Sequence, residues 1–183
     1  MERRIAEIYD FSWIIKRKLA ASEHPGKVAT ILGDWRPVIS WLSEQGIGGI
    51  ITLTPEWPLD GEAKKILREY EIDWYFLPIQ DFRAPETFDT AFTFVKYVKE
   101  INDKGKAALV HCHAGCGRTG TMLIAYLMIE KGYTLEDAQT ELRYKRYCIA
   151  SVLSNEEQYG YLIRLCLLYT SDAADEGLGV DLG

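Results

Sequence analysis

Three features of the sequence predict an α/β fold with a central, mostly parallel sheet flanked by helices. Short apolar runs without polar alternation, GGIITLT at 48–54, WYFLPI at 74–79 and ALVH at 108–111, read as strands covered on both faces. Helical stretches separate them, as strand–helix alternation in a parallel sheet requires. After the third run the chain finishes in three consecutive helical segments, which supply the cover for one face.

The elements follow in order. FSWIIKRKLAAS near the start alternates loosely and predicts short edge strands. Residues 35–45 have helical spacing, with Asp34 as N-cap and Gly46 as stop. The strand at 48–54 follows, then a helix over 60–70 and the strand at 74–79. Phe88, Ala91, Phe92, Val95 and Val98 form an apolar stripe on a helix over 86–103. The strand ending at His111 comes next, and helices are predicted over 119–131, 135–146 and 155–165.

The 183 residues suit one compact domain. With 48% hydrophobic and 26% charged residues, the composition is that of a globular chain. The formal charge of −6 excludes a broadly basic surface, so neither nucleic acid nor an anionic membrane is expected as partner. MERRIAEIYDFSW lacks the apolar centre of a signal peptide, and no apolar run reaches the length of a membrane span. Four cysteines, Cys112, Cys116, Cys148 and Cys166, do not make a disulfide framework at this length, so a cytoplasmic protein with reduced thiols is expected.

The end of the chain differs in kind. CLLYTSDAADE at 166–176 reads as one frame of a sequencing-library transposase adapter. Residues 1–165 are therefore expected to form the one natural domain, and 166–183 a non-native tail that truncates the last helix. The tail holds four acids and no base, so the remainder carries 21 basic against 23 acidic groups.

The chemistry concentrates in ALVHCHAGCGRTG. A cysteine directly after a buried strand is followed by a glycine-rich turn and then an arginine where a helix begins. Gly115 and Gly117 let backbone N–H groups turn inward around an anion, and the helix N-terminus adds partial positive charge. Arg118 can grip two phosphate oxygens with its planar fork. The same field favours a thiolate at Cys112, which can attack phosphorus and form a phosphocysteine that water hydrolyses.

Two other patterns fall on these residues and are set aside. Gly115-x-Gly117-x-x-Gly120 fits a dinucleotide loop, but helices follow where a second strand ending in an acid is required. His111, Cys112, His113 and Cys116 could ligate a metal, but adjacent residues on a strand point to opposite sides and Arg118 repels a cation. No metal and no cofactor is expected.

The segment fits the Cys-x5-Arg-Ser/Thr signature, and from residue 10 to 165 the chain resembles the protein tyrosine phosphatase superfamily, in its small atypical dual-specificity branch. GIGGIITLTPEWPL, the strand into Asp81, and GRTGTMLIAYLMIEKGYTLEDA carry the likeness beyond the loop. The resemblance implies Cys112 as nucleophile, Arg118 as phosphate clamp, and Thr119 as the hydroxyl that eases expulsion of the thiolate. The amides of His113, Ala114, Gly115, Cys116, Gly117 and Arg118 would bind phosphate oxygens, with His111 holding the loop and supporting the thiolate.

Asp81 in IQDFRAP matches the acid-loop aspartate and would protonate the leaving oxygen, with Asp89 a weaker candidate. Gln80 stands where proline is common. Gln158 matches a glutamine that could orient the hydrolytic water, or it lies exposed on a helix. Arg146, followed by Tyr147 rather than proline, is not assigned to substrate. Cys116 either lines the pocket or captures oxidised Cys112.

The resemblance implies hydrolysis of phosphotyrosine and phosphoserine/threonine in proteins from a shallow pocket, since no aromatic-bearing insertion precedes GGIITLT. A phosphoinositide or inositol phosphate is the alternative substrate. His113 and Cys116 replace the lysines that such enzymes carry. A non-catalytic phosphate-binding module is the alternative outside enzymes, although Cys112, Arg118 and Asp81 are all present.

Overall fold

The structure, a computed structural model, describes residues 10–56 and 59–176. Five strands, β1 (Ser12–Ile15), β2 (Leu19–Ser22), β3 (Ile47–Thr52), β4 (Asp73–Phe76) and β5 (Ala107–His111), form one sheet in the order β1-β2-β5-β3-β4. β2, β5, β3 and β4 run parallel, and β1 joins antiparallel at one edge. FSWIIKRKLAAS thus gives one edge strand and one interior strand, because β2 pairs with both β1 and β5. β4 is the other edge and only half-buried, although backbone bonds from Leu77 to Thr52 and from Ile79 to Leu53 continue its pairing toward the acid loop.

The helices are α1 (Pro25–Leu32), α2 (Arg36–Glu44), α3 (Gly61–Glu69), α4 (Asp89–Asp103), α5 (Gly117–Lys131), α6 (Leu135–Lys145), α7 (Ala150–Leu153) and α8 (Glu156–Glu176), with a 3₁₀ turn at Tyr147–Ile149. α1 escapes sequence reading because its eight residues are too few to show a period. Pro25 in its first turn and His24, whose Nδ1 accepts from Gly26 N at 2.9 Å, set its start. The cap of α2 is Trp35 and not Asp34 as expected; Asp34 stands one residue earlier, its carboxylate accepting from Arg36 N at 2.8 Å.

Strand parity divides the core. Ala107 and Leu109 of β5 face the layer of α1, α2 and α3, while Ala108, Val110 and then Cys112 face the layer of α4 to α8. α5 crosses the centre of the second layer and is buried almost all round, from Arg118 to Met128. Each large apolar side chain it buries stabilises the fold by about 1.5–3 kcal/mol. The phosphate-loop helix therefore starts from a rigid base. α8 continues without a break past Leu165 to Glu176, so the adapter-like string 166–176 is helical, and Tyr169 meets Phe92 with ring centroids 6.3 Å apart. Among the described residues, no helix is long and apolar enough to cross a membrane.

Candidate active site

The parallel strands deliver their functional residues at one end, where their carboxyl termini converge. β5 ends at His111 and leads into the loop 112–116, β3 leads to Glu56, and the extension of β4 leads to Asp81. The loop closes on the N-terminus of α5, whose cap is Cys116.

What turns this loop into an anion cradle is the direction of its carbonyls. His113 O accepts from His24 N at 3.1 Å, and Gly115 O accepts from Arg146 Nε at 2.6 Å. Arg146 Nη2 also reaches Ala114 O at 3.4 Å, and His111 Nδ1 lies 3.1 Å from Cys112 O. Four successive carbonyls are thus drawn outward by donors outside the loop. The N–H groups are left for the concave side, where they and the start of α5 can receive an anion. Gly115 has φ +68°, and a Cβ there would lie 2.2 Å from Ser22 O, so both conformation and space require glycine.

His111 is fully buried and sits in an ordered chain of bonds. Trp74 Nε1 donates to Thr52 Oγ1 at 3.0 Å, and Thr52 Oγ1 lies 2.8 Å from His111 Nε2. Nδ1 toward a carbonyl must carry the proton, so Nε2 accepts from the Thr52 hydroxyl and the ring is neutral. Burial above all, with the nearby His24 and Arg118, pushes its pKa down to about 3. The neutral His111 bonds to the loop at Cys112 O and brings no positive charge to it.

Arg118 is 2% exposed, and both terminal nitrogens of its guanidinium are engaged. Nη1 pairs with Glu56 at 2.7 Å and donates to Ile79 O at 3.1 Å, while Nη2 pairs with Asp81 at 3.0 Å. The arginine thus joins the phosphate loop to the acid loop. Glu56 was missed by sequence reading, and its only signal is an acid in TPEW shortly after a buried strand. Thr119 is fully buried, and its Oγ1 has no hydrogen-bond partner among the described residues. Such an orphan costs about 1–3 kcal/mol, so an unpartnered hydroxyl one residue after Arg118 calls for an explanation.

A cavity of about 450 Å³ opens over Cys112 and brings together Asp81, Phe82, His113, Arg118, Asn155 and Gln158 among its walls. Asp89 opens α4 and does not reach it. Gln158 is buried rather than exposed on its helix: its Nε2 donates to Arg83 O at 3.2 Å, and its amide lies against Gly117.

Cys116 lines the cavity over Cys112, one of its two expected places, and its sulfur is engaged elsewhere. It forms a disulfide with Cys148, with Cα atoms 5.3 Å apart, and Cys112 stays outside any disulfide. Cys116 is therefore not the thiol that captures oxidised Cys112, and the expectation of wholly reduced cysteines does not hold. The bridge ties the loop to the turn that also carries Arg146. Burial pulls the Arg146 guanidinium below its ordinary pKa, opposed mainly by Asp10, which pairs with it at 2.7 Å. Arg146 lies behind the loop, away from any substrate, in keeping with its exclusion as a substrate residue.

Comparison with known proteins follows the same lines. A family model described as "Polymorphic toxin system, DSP-PTPase phosphatase" matches residues 21–132. The chain is 29% identical over 107 residues to a putative tyrosine phosphatase 123R of Invertebrate iridescent virus 6, covering 58% of this chain and 68% of that protein. It is likewise 29% identical over 110 residues to phosphatidylglycerophosphate phosphatase PTPMT2 of Arabidopsis thaliana, covering 60% of this chain but only 47% of the plant protein. The crystal structure of Tk-PTP in the active form superposes with a TM-score of 0.69 at 25% identity, covering 85% of this chain and 95% of that one.

Proposed function

The chain belongs to the DSP-PTPase phosphatase family of polymorphic toxin systems, and from that premise we propose that it hydrolyses phosphotyrosine and phosphoserine/threonine monoesters of proteins through a phosphocysteine. The observation that carries the reading is the loop whose carbonyls are all drawn outward around Cys112, with Arg118 at its rim.

On this reading the phosphate sits in the cradle of amides from 113 to 118, and the Arg118 fork clamps two of its oxygens. Cys112 Sγ attacks phosphorus as the bond to the leaving oxygen breaks. Asp81, protonated once the phosphate oxygens have taken its place on the Arg118 fork, gives that oxygen its proton. Asp81 then takes a proton from water as the water attacks the phosphocysteine, and inorganic phosphate and the Cys112 thiolate are released. The partnerless Thr119 hydroxyl serves the departing thiolate, and Gln158, beside Gly117, serves to orient the water. The cycle needs no cofactor or metal.

We propose the cytoplasm as its place of action, where phosphorylated proteins occur, with the Cys116–Cys148 bridge an exception to the reduced state of thiols there. Residues 1–165 are taken as the catalytic unit and 166–183 as the non-native tail. The experiment is a panel of phosphotyrosine and phosphoserine peptides, inositol phosphates and phosphorylated RNA ends. Cys112→Ser should abolish turnover while still binding the phosphopeptide. Residual turnover above about a thousandth of the parent rate sinks the covalent route.

A second reading has one observation in its favour, the plant relative named a phosphatidylglycerophosphate phosphatase. Against it, His113 and the disulfide-bound Cys116 offer no lysine for a second phosphate. An inositol polyphosphate preferred over phosphotyrosine peptide by tenfold in kcat/KM, about 1.4 kcal/mol, would reverse the choice.

A further inference from the structure

The acid loop is a tight turn, closed by its own backbone bond from Arg83 N to Gln80 O at 3.1 Å and held further by side chains distant in sequence. Phe82, next to Asp81, has φ +58°, a left-handed backbone that a bulky side chain adopts only when its surroundings impose it. Its ring is 76% exposed, so packing of the side chain does not impose it. Beside the turn's own bond, a second restraint comes from residues more than 70 positions away, at the head of α8. Asn155 Nδ2 donates to Phe82 O at 2.8 Å, Gln158 Nε2 donates to Arg83 O at 3.2 Å, and the Arg83 guanidinium pairs with Glu157. Two successive carbonyls of the acid loop are thus gripped by side-chain amides one helical turn apart. On the other side, Phe82 N donates to Asp81 Oδ1 at 3.0 Å, the same oxygen that meets Arg118.

Asn155 does two things at once. Its Oδ1 accepts from Gln158 N at 3.0 Å, which caps α8, while its Nδ2 holds the loop. We propose that Asn155 is a positioning residue for the reaction: its amide latches the Phe82 carbonyl and thereby fixes Asp81 over Cys112. The inference rests on Asp81 being the leaving-group acid. The amide of Asn155 does not act on the phosphate. Without it the turn at Phe82 keeps its own bond from Arg83 N to Gln80 O but is no longer anchored to α8, and Asp81 spends less time where it can protonate the leaving oxygen.

The two roles of Asn155 can be separated chemically. Asn155→Ser keeps a side-chain oxygen for the helix cap but has no amide to reach Phe82 O, whereas Asn155→Ala loses both. Two measurements are made on both variants and on Asp81→Asn: amide hydrogen exchange of residues 80–85, and kcat/KM for a phosphoserine peptide and for nitrophenyl phosphate, whose oxygen leaves without help. In Asn155→Ser, exchange should rise, and kcat/KM should fall at least tenfold on the phosphoserine peptide and less than threefold on the aryl ester. Restoring a longer amide in Asn155→Gln should recover part of the loss. Unchanged exchange in Asn155→Ser, or equal loss on both esters there while Asp81→Asn discriminates between them, overturns the latch. Failure of Asp81→Asn to discriminate overturns the acid assignment, and with it the catalytic purpose of the latch.

Discussion

Removing the Cys116–Cys148 bridge by Cys148→Ser tests how the phosphate loop is kept in place. The cysteines are 32 residues apart. Closing a loop of that length removes chain entropy from the unfolded state worth roughly 3–4 kcal/mol. Nothing else changes in kind: Arg146 still holds Gly115 O, and Asp10 still holds Arg146. Urea unfolding of the oxidised parent, the reduced parent and the variant gives the comparison. With a slope of about 2 kcal/mol per molar for a domain of this size, the midpoint should fall by about 1.5–2 M in both the reduced parent and the variant. A midpoint unchanged in the variant, or a parent insensitive to reductant after thiol titration shows the bridge open, refutes the reasoning.

Three further expectations concern other parts of the molecule. His111 stays neutral in the fold down to about pH 3, against an ordinary 6.5. As pH falls between these values the unfolded chain takes up a proton that the fold refuses, so stability should fall on the order of 1 kcal/mol per pH unit. Unfolding at pH 7, 6 and 5 should show this slope in the parent and not in His111→Asn; the same slope in both refutes the assignment. After mild peroxide, recovery of activity by reductant should be equal in the parent and in Cys116→Ser, because Cys116 is committed to Cys148; poorer recovery in the variant would restore Cys116 as partner of Cys112. Truncation after Leu165 should leave kcat/KM unchanged, as every residue around Cys112 precedes it, and a loss above threefold would show that 166–183 serves the site.

The sheet and the cradle were legible because local sequence determines them. A run such as ALVH can only be buried, and a cysteine, glycines and an arginine between strand and helix have few other uses. β2 was misplaced because LAAS carries too little pattern to show that strands pair on both sides of it. Glu56, Asn155 and Cys148 were not legible for a different reason. Each acts on a loop 62, 73 and 32 residues away in sequence, and no local period or motif encodes such meetings. Asn155 caps α8 through its Oδ1, but its second hydrogen bond, to Phe82 O, leaves no mark on its neighbours in sequence.

These long-range contacts share a logic that the motif alone does not supply. Arg118 is nearly inaccessible to water, and a buried guanidinium left unpaired costs several kcal/mol. Glu56 and Asp81 meet that cost when no phosphate is in the cradle. On the proposed mechanism, phosphate entry exchanges one set of oxygens on Arg118 for another instead of satisfying a bare charge, so the clamp is formed before substrate arrives. The exchange also explains why the acid loop needs a restraint of its own. Once phosphate competes for the fork, Asp81 loses part of its hold on Arg118, and the carboxyl must still stay beside the leaving oxygen. The amides of Asn155 and Gln158 grip the backbone of that loop and not its carboxyl, so their hold does not weaken when Arg118 turns to the substrate.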